Sequence, residues 1–348
     1  MKYIILKVFI FSFILGCSQS NDHLIINVWY GEEQYFGEPG MAQRWINVLG
    51  NIESENQLIS LAYQLNNGQK KALSWGSDLH RLAAQGDFNI DIDTSALING
   101  RNQVIIFAED SVGLQARREV TVYYKHGNRW PLPYEINWSE VDQLQEAIQV
   151  VDGQWEITPD GLHNLDVYYD RVVAIGDGSW RNYEIETSIV FHSFTVPEPG
   201  PPTYNVSHAA LASRWPGHDL DSLQPHRKWF PLGATSEFRI TDHLDSCRWR
   251  IFDGPKPGEE RFYQEQSPNQ YRMIEFEKPY GMKHRVESIL ANGTRYSVKL
   301  WPLDQPEPAQ WDFVAIEKNE NIISGSALLI AHHTNVTFGN VKVVPLQP

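Results

Sequence analysis

Six residues of this 348-residue chain have the side-chain chemistry to grip a polar ligand: His208, Arg214, His226, Trp229, Arg250 and Lys299. Arginine presents a planar fork of donors that meets carboxylates and hydroxyls in pairs, whereas lysine is a mobile point charge. Tryptophan supplies a flat apolar plate on which a sugar ring can stack. In "HAALASRWPGH", 208–218, strand alternation would set His208, Ala210, Ala212 and Arg214 on one side. Ala209, Leu211, Ser213 and Trp215 would then face the core, and Pro216-Gly217 ends the run before a loop carrying His226 and Trp229. Glu186, His192, Arg239, Arg248, Arg250, Arg285, Glu287 and Lys299 stand opposite the apolar positions of other runs. Collected on one sheet they predict a polar ligand face, with Arg214 in it and Trp229 and Trp301 flanking it. A sheet that merely shows one face to water is the competing expectation.

Catalytic and metal motifs are sparse. There is no Gly-x-Ser-x-Gly elbow, no His-Glu-x-x-His and no phosphate-gripping glycine loop. "PGHDLDSLQPHRKW" holds His218, Asp219, Asp221 and His226, types that can ligate zinc or calcium. It reads as a polar surface loop, and no metal site is expected there. Of the neighbours His332-His333, strand geometry lets only one join any given site.

Short alternating runs must position these groups. "DFNIDIDTS" sets Phe88, Ile90 and Ile92 against Asn89, Asp91 and Asp93, the pattern of a half-buried strand. Similar runs fill 24–125, with turn signals at Asn67-Gly68 and Asn99-Gly100, and suggest a small β-sandwich. "KHGNRWPLPYE", 125–135, interrupts the alternation and predicts a linker near 126–133. Strands then dominate 134–348 and imply two packed sheets, so the chain is expected to be all-β.

Two resemblances follow from particular stretches. "SLAYQLNNG…GDFNIDI…GRNQVIIFAEDSVG…REVTVYY" resembles bacterial Ig-like domains, which usually act as spacers. "DGQWEITPDGL", "YYDRVVAIGDGSWRNYEIETSIVFHS", "AALASRWPGH", "YSVKLWPLDQPEPAQWDF" and "GSALLIAHHTNVTFGNVKVV" together resemble the concanavalin A-like lectin/glucanase superfamily, closest to LamG-like bacterial modules. That likeness implies a jelly-roll sandwich over roughly 150–345, within a superfamily that holds lectins, adhesion modules, glycosidases and lyases. Its glucanases carry two Glu and an Asp along one strand. The nearest match here, Glu140, Asp142 and Glu146 in "EVDQLQE", lies in surroundings that read as helix or loop. Relatives often hold a structural calcium with an Asp that is Gly339 in this chain, beside Asn340. No cofactor is expected beyond that calcium.

The start of the chain bears on location. Lys2 precedes an apolar run to Leu15, too short to span a bilayer comfortably and laid out like a secretory signal. Ile14-Leu15-Gly16-Cys17 resembles a bacterial lipobox, which implies lipidation of Cys17; Ser18 implies the outer membrane if the host is Gram-negative. Cys247 would then have no partner, so the exported chain must rely on its core. With 43 acidic against 29 basic residues the net charge is −14, which disfavours a nucleic-acid partner. Twelve Trp suit a protein that handles sugars. These features lead to a lipid-anchored surface protein that binds a polysaccharide or oligosaccharide, with acidic polysaccharide favoured by the arginines. A glycoside hydrolase or polysaccharide lyase working from the same face is the second expectation. A structural or adhesion lipoprotein is the third.

Overall fold

A computed structural model describes residues 23–195, 206–229, 232–241, 244–254, 260–289, 293–318 and 322–347. Cys17 and its leader lie outside these residues. The chain is all-β and forms two sandwiches. No described helix is long and apolar enough to cross a membrane.

The first sandwich packs a three-stranded sheet (Leu24–Val28, Trp45–Ser54, Asp87–Asp93) on a five-stranded one built around Gly100–Asp110 and Gln115–Tyr124. Ile46, Val48, Phe88, Ile90, Val104, Ile106, Val120 and Val122 fill its core. The second is a jelly roll. One sheet runs, edge to edge, Gln149–Asp152, Arg171–Ile175, Ser326–His332, His208–Trp215, Leu232–Arg239, Arg248–Gly254 and Tyr263–Glu265. Eight strands form the other, centred on Tyr183–Phe194, Pro279–Ile289, Gly293–Pro302 and Thr334–Pro345. All pairs within this jelly roll are antiparallel. Its core takes Ala209, Leu211, Phe238, Trp249 and Ile251 from the seven-stranded sheet, with Phe191 meeting Phe238 from the opposite side. Cys247 is buried there as a free thiol.

One sequence expectation changes here. The polar face of Asp87–Asp93 is not solvated: Asn89 and Asp91 are buried as completely as the apolar face. That face packs on Gln149–Asp152, the edge of the jelly roll. Arg81 knits the contact, donating to Asp91 through Nη1 (2.7 Å) and Nη2 (3.1 Å), to Asp152 through Nε (2.6 Å) and to the His226 carbonyl (2.7 Å). Asn47 and Asn89 add amide bonds to Asp91 and Asp152, and Gln149 donates to the Trp45 carbonyl. Burial pulls the Arg81 pKa down, but Asp152 and Asp91 outweigh it and keep the guanidinium charged. Every member of such a buried network must be paired, because a lone charge there costs several kcal/mol. As its surroundings suggest in the sequence, "EVDQLQE" forms a 3-10 turn at Trp138–Glu140 and a short helix at Leu144–Ala147, which Glu146 caps.

Candidate functional site

Register decides which side chains meet on the outer face of the seven-stranded sheet. His208 pairs across to His332 on one side and Arg239 on the other; Ala210 pairs with Ile330 and Glu237; Glu237 pairs with Arg250. Successive residues alternate faces, so His208, His332, Ile330, Glu237 and Arg250 share the outer side. There a cleft of about 590 Å³ opens. Its remaining walls come from Tyr169 and Asp170 before the strand Arg171–Ile175, from the loop His218–Trp229, from Phe252, Arg261 and Tyr263, and from His80 and Arg81 of the first sandwich.

At the centre, His332 Nδ1 lies 2.7 Å from Asp170 Oδ1. The His208 ring stacks on His332, centroids 4.4 Å apart and planes within 5°. Burial first, then the neighbouring His332, Arg250 and Arg239, hold the His208 pKa well below its usual value, so this ring stays neutral. Tyr169 stands edge-on to His332 at 4.7 Å. Glu237 faces His208 Nε2 at 3.5 Å and holds Arg250 through Nε (2.6 Å) and Nη2. Arg250 and Arg261 both approach the Phe252 ring, at 5.1 and 4.3 Å. Burial and the Arg250 charge together press the Arg261 pKa down. Glu237 and Asp253 act on Arg261 in the opposite direction, so the two guanidiniums share the Phe252 ring among carboxylates.

Asp170, His208 and His332 offer ligand atoms within 4.8 Å of one another, a spacing that could suit a metal. The stack argues against it. An imidazole lone pair lies in the ring plane, and two planes nearly parallel do not intersect at a shared ion. With Asp170 on His332, the trio reads as an oriented base.

The predicted residues divide. His208, Arg250 and Trp229 meet in the cleft, Trp229 leaning on Trp215 and His218 at its rim. His226 sits behind the rim. Its N–H donates to Asp91 (2.7 Å), its ring packs on Trp45, and Nδ1 contacts Asp221, so it ties the loop to the first sandwich. Arg214 is a correction. The strand bulges between Ala212 and Trp215, and Arg214 takes φ +53°. The bulge turns its side chain off the cleft face and into the space between the sheets, where it is 0% exposed. Gly233 leaves the room it needs, since a Cβ there would stand 2.8 Å from that of Arg214. Its guanidinium donates to Thr294, Ser288, Asn182 and the carbonyls of Arg181 and Ile322. Lys299 is the second correction. It belongs to the other sheet, pairs with Glu307 (2.6 Å), and sits with Trp301, Trp311 and Lys283. Trp301 therefore does not flank the cleft.

At Gly339-Asn340 the polar groups meet neighbouring protein groups. Trp138 donates to the Gly339 carbonyl and the Asn340 side chain, and Thr187 to Gly339. In the candidate metal loop, Asp221 accepts from the Leu223 and Arg227 amides while His218 turns inward toward Asp152. Tyr169, Asp170 and Glu237 were not singled out by sequence. Tyr169-Asp170 precedes its strand rather than belonging to it, and Glu237 is one polar residue among many. Its alternation in "ATSEFR" opposite Phe238 was the available signal.

No family model matches the chain, and no curated protein matches it significantly. Among solved structures it is similar to the VIP36 exoplasmic/lumenal domain bound to Ca2+ and Man3GlcNAc, with 9% identity over 62% of this chain and 92% of that one (TM-score 0.37). It is also similar to a mutant of alginate lyase Aly36B in complex with alginate trisaccharide, with 11% identity over 62% and 99% (TM-score 0.38). An endo-acting O-glycanase expressed by the human gut microbiota gives 8% over 60% and 87% (TM-score 0.35). Likeness at this level assigns no activity, and the functional reading rests on the cleft.

Proposed function

We propose that this protein binds an acidic polysaccharide in the cleft between the seven-stranded sheet and the first sandwich, and that lipid on Cys17 holds it at the surface of the cell. The observation that carries the reading is the Arg250–Arg261 pair. Glu237 fixes one guanidinium, and both crowd the Phe252 ring beside the stacked rings of His208 and His332. A uronate carboxylate suits this place: it is a fork acceptor that an arginine meets bidentately. Trp229 and Tyr263 supply flat surfaces for the sugar rings on either side. A chain of net charge −14 that gathers guanidiniums in one cleft has placed them against its overall electrostatic trend.

Binding should separate charged from neutral glycans. Affinity electrophoresis with polygalacturonate, alginate and hyaluronan should retard the protein, and laminarin should not. Arg250→Lys should weaken binding about tenfold or more, since a charge-assisted bond of roughly 1.5–3 kcal/mol depends on the fork. Equal retardation by laminarin, or an unchanged Arg250→Lys, would exclude this reading.

A further inference from the structure

We infer that the outer face of the eight-stranded sheet holds a zinc site, formed by His163 and His192 around the Thr337 hydroxyl. It lies on the sheet opposite the cleft and does not depend on the glycan reading. Three neighbouring strands bring the groups together. His163, from Gly161–Asn164, pairs across to Thr337 of Thr334–Pro345, and Thr337 pairs on its other side with Val190 of Tyr183–Phe194. Leu162, Phe191, Val336 and Phe338 fill the core, so by alternation His163, His192 and Thr337 face outward. His163 Nδ1 stands 3.0 Å and His192 Nε2 2.8 Å from the same Thr337 Oγ1. The two ring planes cross at 70°, with centroids 5.4 Å apart. An imidazole lone pair lies in its ring plane, so crossed planes can meet at one ion where the parallel His208–His332 stack cannot.

Protons and charge favour a cation here. Thr337 has one hydroxyl proton for two nitrogens, so one ring must donate to it. Glu277 meets His192 Nδ1 through both carboxylate oxygens, 3.0 and 2.9 Å away, and its own amide is tied to the Phe191 carbonyl. A carboxylate on Nδ1 keeps the proton there and leaves Nε2 as a lone pair, the arrangement that backs metal-bound histidines. Thr337 donates to that lone pair and accepts from His163 Nδ1–H. A dication replaces this chain. His163 then carries its proton on Nε2, and both lone pairs close to about 2.0–2.1 Å of the ion. Two waters of the hydrated ion leave as the nitrogens bind, others stay on it, and nothing is oxidised or reduced. Burial, then the neighbouring His192, lowers the His163 pKa, so that ring is neutral at neutral pH. Glu156 stands directly across from His163 and Glu277 beside His192, two acidic groups that offset the charge of the ion. Imidazole donors select zinc over calcium and magnesium, which take oxygen. An ion that joins these strands binds only the folded chain and therefore stabilises it.

The test uses the full chain without a histidine tag, and zinc chloride alone. Equilibrium dialysis should find Zn2+ bound by the protein, and the melting temperature should rise with zinc but not with calcium. His163→Gln and His192→Gln should each weaken zinc binding by about 100-fold or more, and Glu277→Gln by about tenfold. His332→Gln, in the cleft's histidine cluster, should bind zinc as the unaltered chain does. Glu277→Gln separates ligation from folding, because its side chain is 68% exposed and the zinc-free melting temperature should not move. Weaker zinc binding at unchanged melting supports the site; undiminished binding in that variant overturns it. No zinc uptake also overturns it. So does uptake that survives both His163→Gln and His192→Gln, or that disappears in His332→Gln.

Discussion

Arg214 shows how a single residue's backbone can redirect its role. Strand alternation assigns it to the ligand face, but one bulge and a positive φ turn it inward, to neutral acceptors that occupy its guanidinium. It is a structural residue. Arg214→Lys should therefore cost about 2–4 kcal/mol of stability in urea denaturation, since a lysine leaves several buried acceptors unmet. Glycan binding by the folded fraction should stay as it was. Weaker binding at unchanged stability would return Arg214 to the site. His284 offers a second test at this scale. It lies in the core with Nδ1 2.7 Å from Ser236 Oγ, and burial, then the Arg214 charge, lower its pKa to about 3. In the unfolded chain it charges below its ordinary value near 6.5. Between about pH 6.5 and 3 the unfolded state thus binds the extra proton, and stability falls as pH falls, by up to about 1.4 kcal/mol per unit. Depressed pKa values at His208 and His218 act in the same direction. His284→Gln should flatten the stability–pH slope between about pH 6 and 4; an unaltered slope would mean the ring does not titrate this way.

At the scale of elements, the strand Asp87–Asp93 carries the lesson. Its alternation was legible, and Phe88, Ile90 and Ile92 do face the first core. What Asn89 and Asp91 face was not legible, because a period of two distinguishes polar from apolar but not water from a buried partner. Arg81 settles it, and in the sequence Arg81 is an unremarked cation in a loop. Similarly, the alternation of 208–212 held while 214 did not, since a bulge leaves no compositional mark beyond Gly233 on the neighbouring strand. The all-β class and the polar outer face around His208 and Arg250 could be read; Tyr169-Asp170 could not, because their approach depends on how distant strands pair. Arg81→Ala should destabilise the protein by about 3–5 kcal/mol, leaving Asp91 and Asp152 buried without their cation. A loss below about 1 kcal/mol, read from the denaturation midpoint, would show that water enters this seam.

For the whole molecule, the linker near 126–133 and the Ig-like resemblance suggest a spacer and a second unit that folds by itself from Trp130. The buried seam predicts otherwise. A chain beginning at Trp130 would expose Gln149 and Asp152, leave the Ser326 hydroxyl without the Ala42 carbonyl, and lose the His80–Arg81 wall of the cleft. Its melting temperature should drop well below that of the chain beginning at His23, and polygalacturonate should no longer retard it. Equal melting and equal retardation would restore the spacer.

The Leu79 amide donates to the Tyr168 hydroxyl at 2.9 Å, and His80 and Arg81 beside it complete the cleft. Inheritance is constrained by that handshake. A recombination that replaced residues 24–125 would remove the loop carrying Leu79, His80 and Arg81, which lines the cleft. Breakpoints within 126–133 should therefore be tolerated only when both halves come from the same ancestor, and residues 81, 91 and 152 should drift together across descendants, as one trait written in two places.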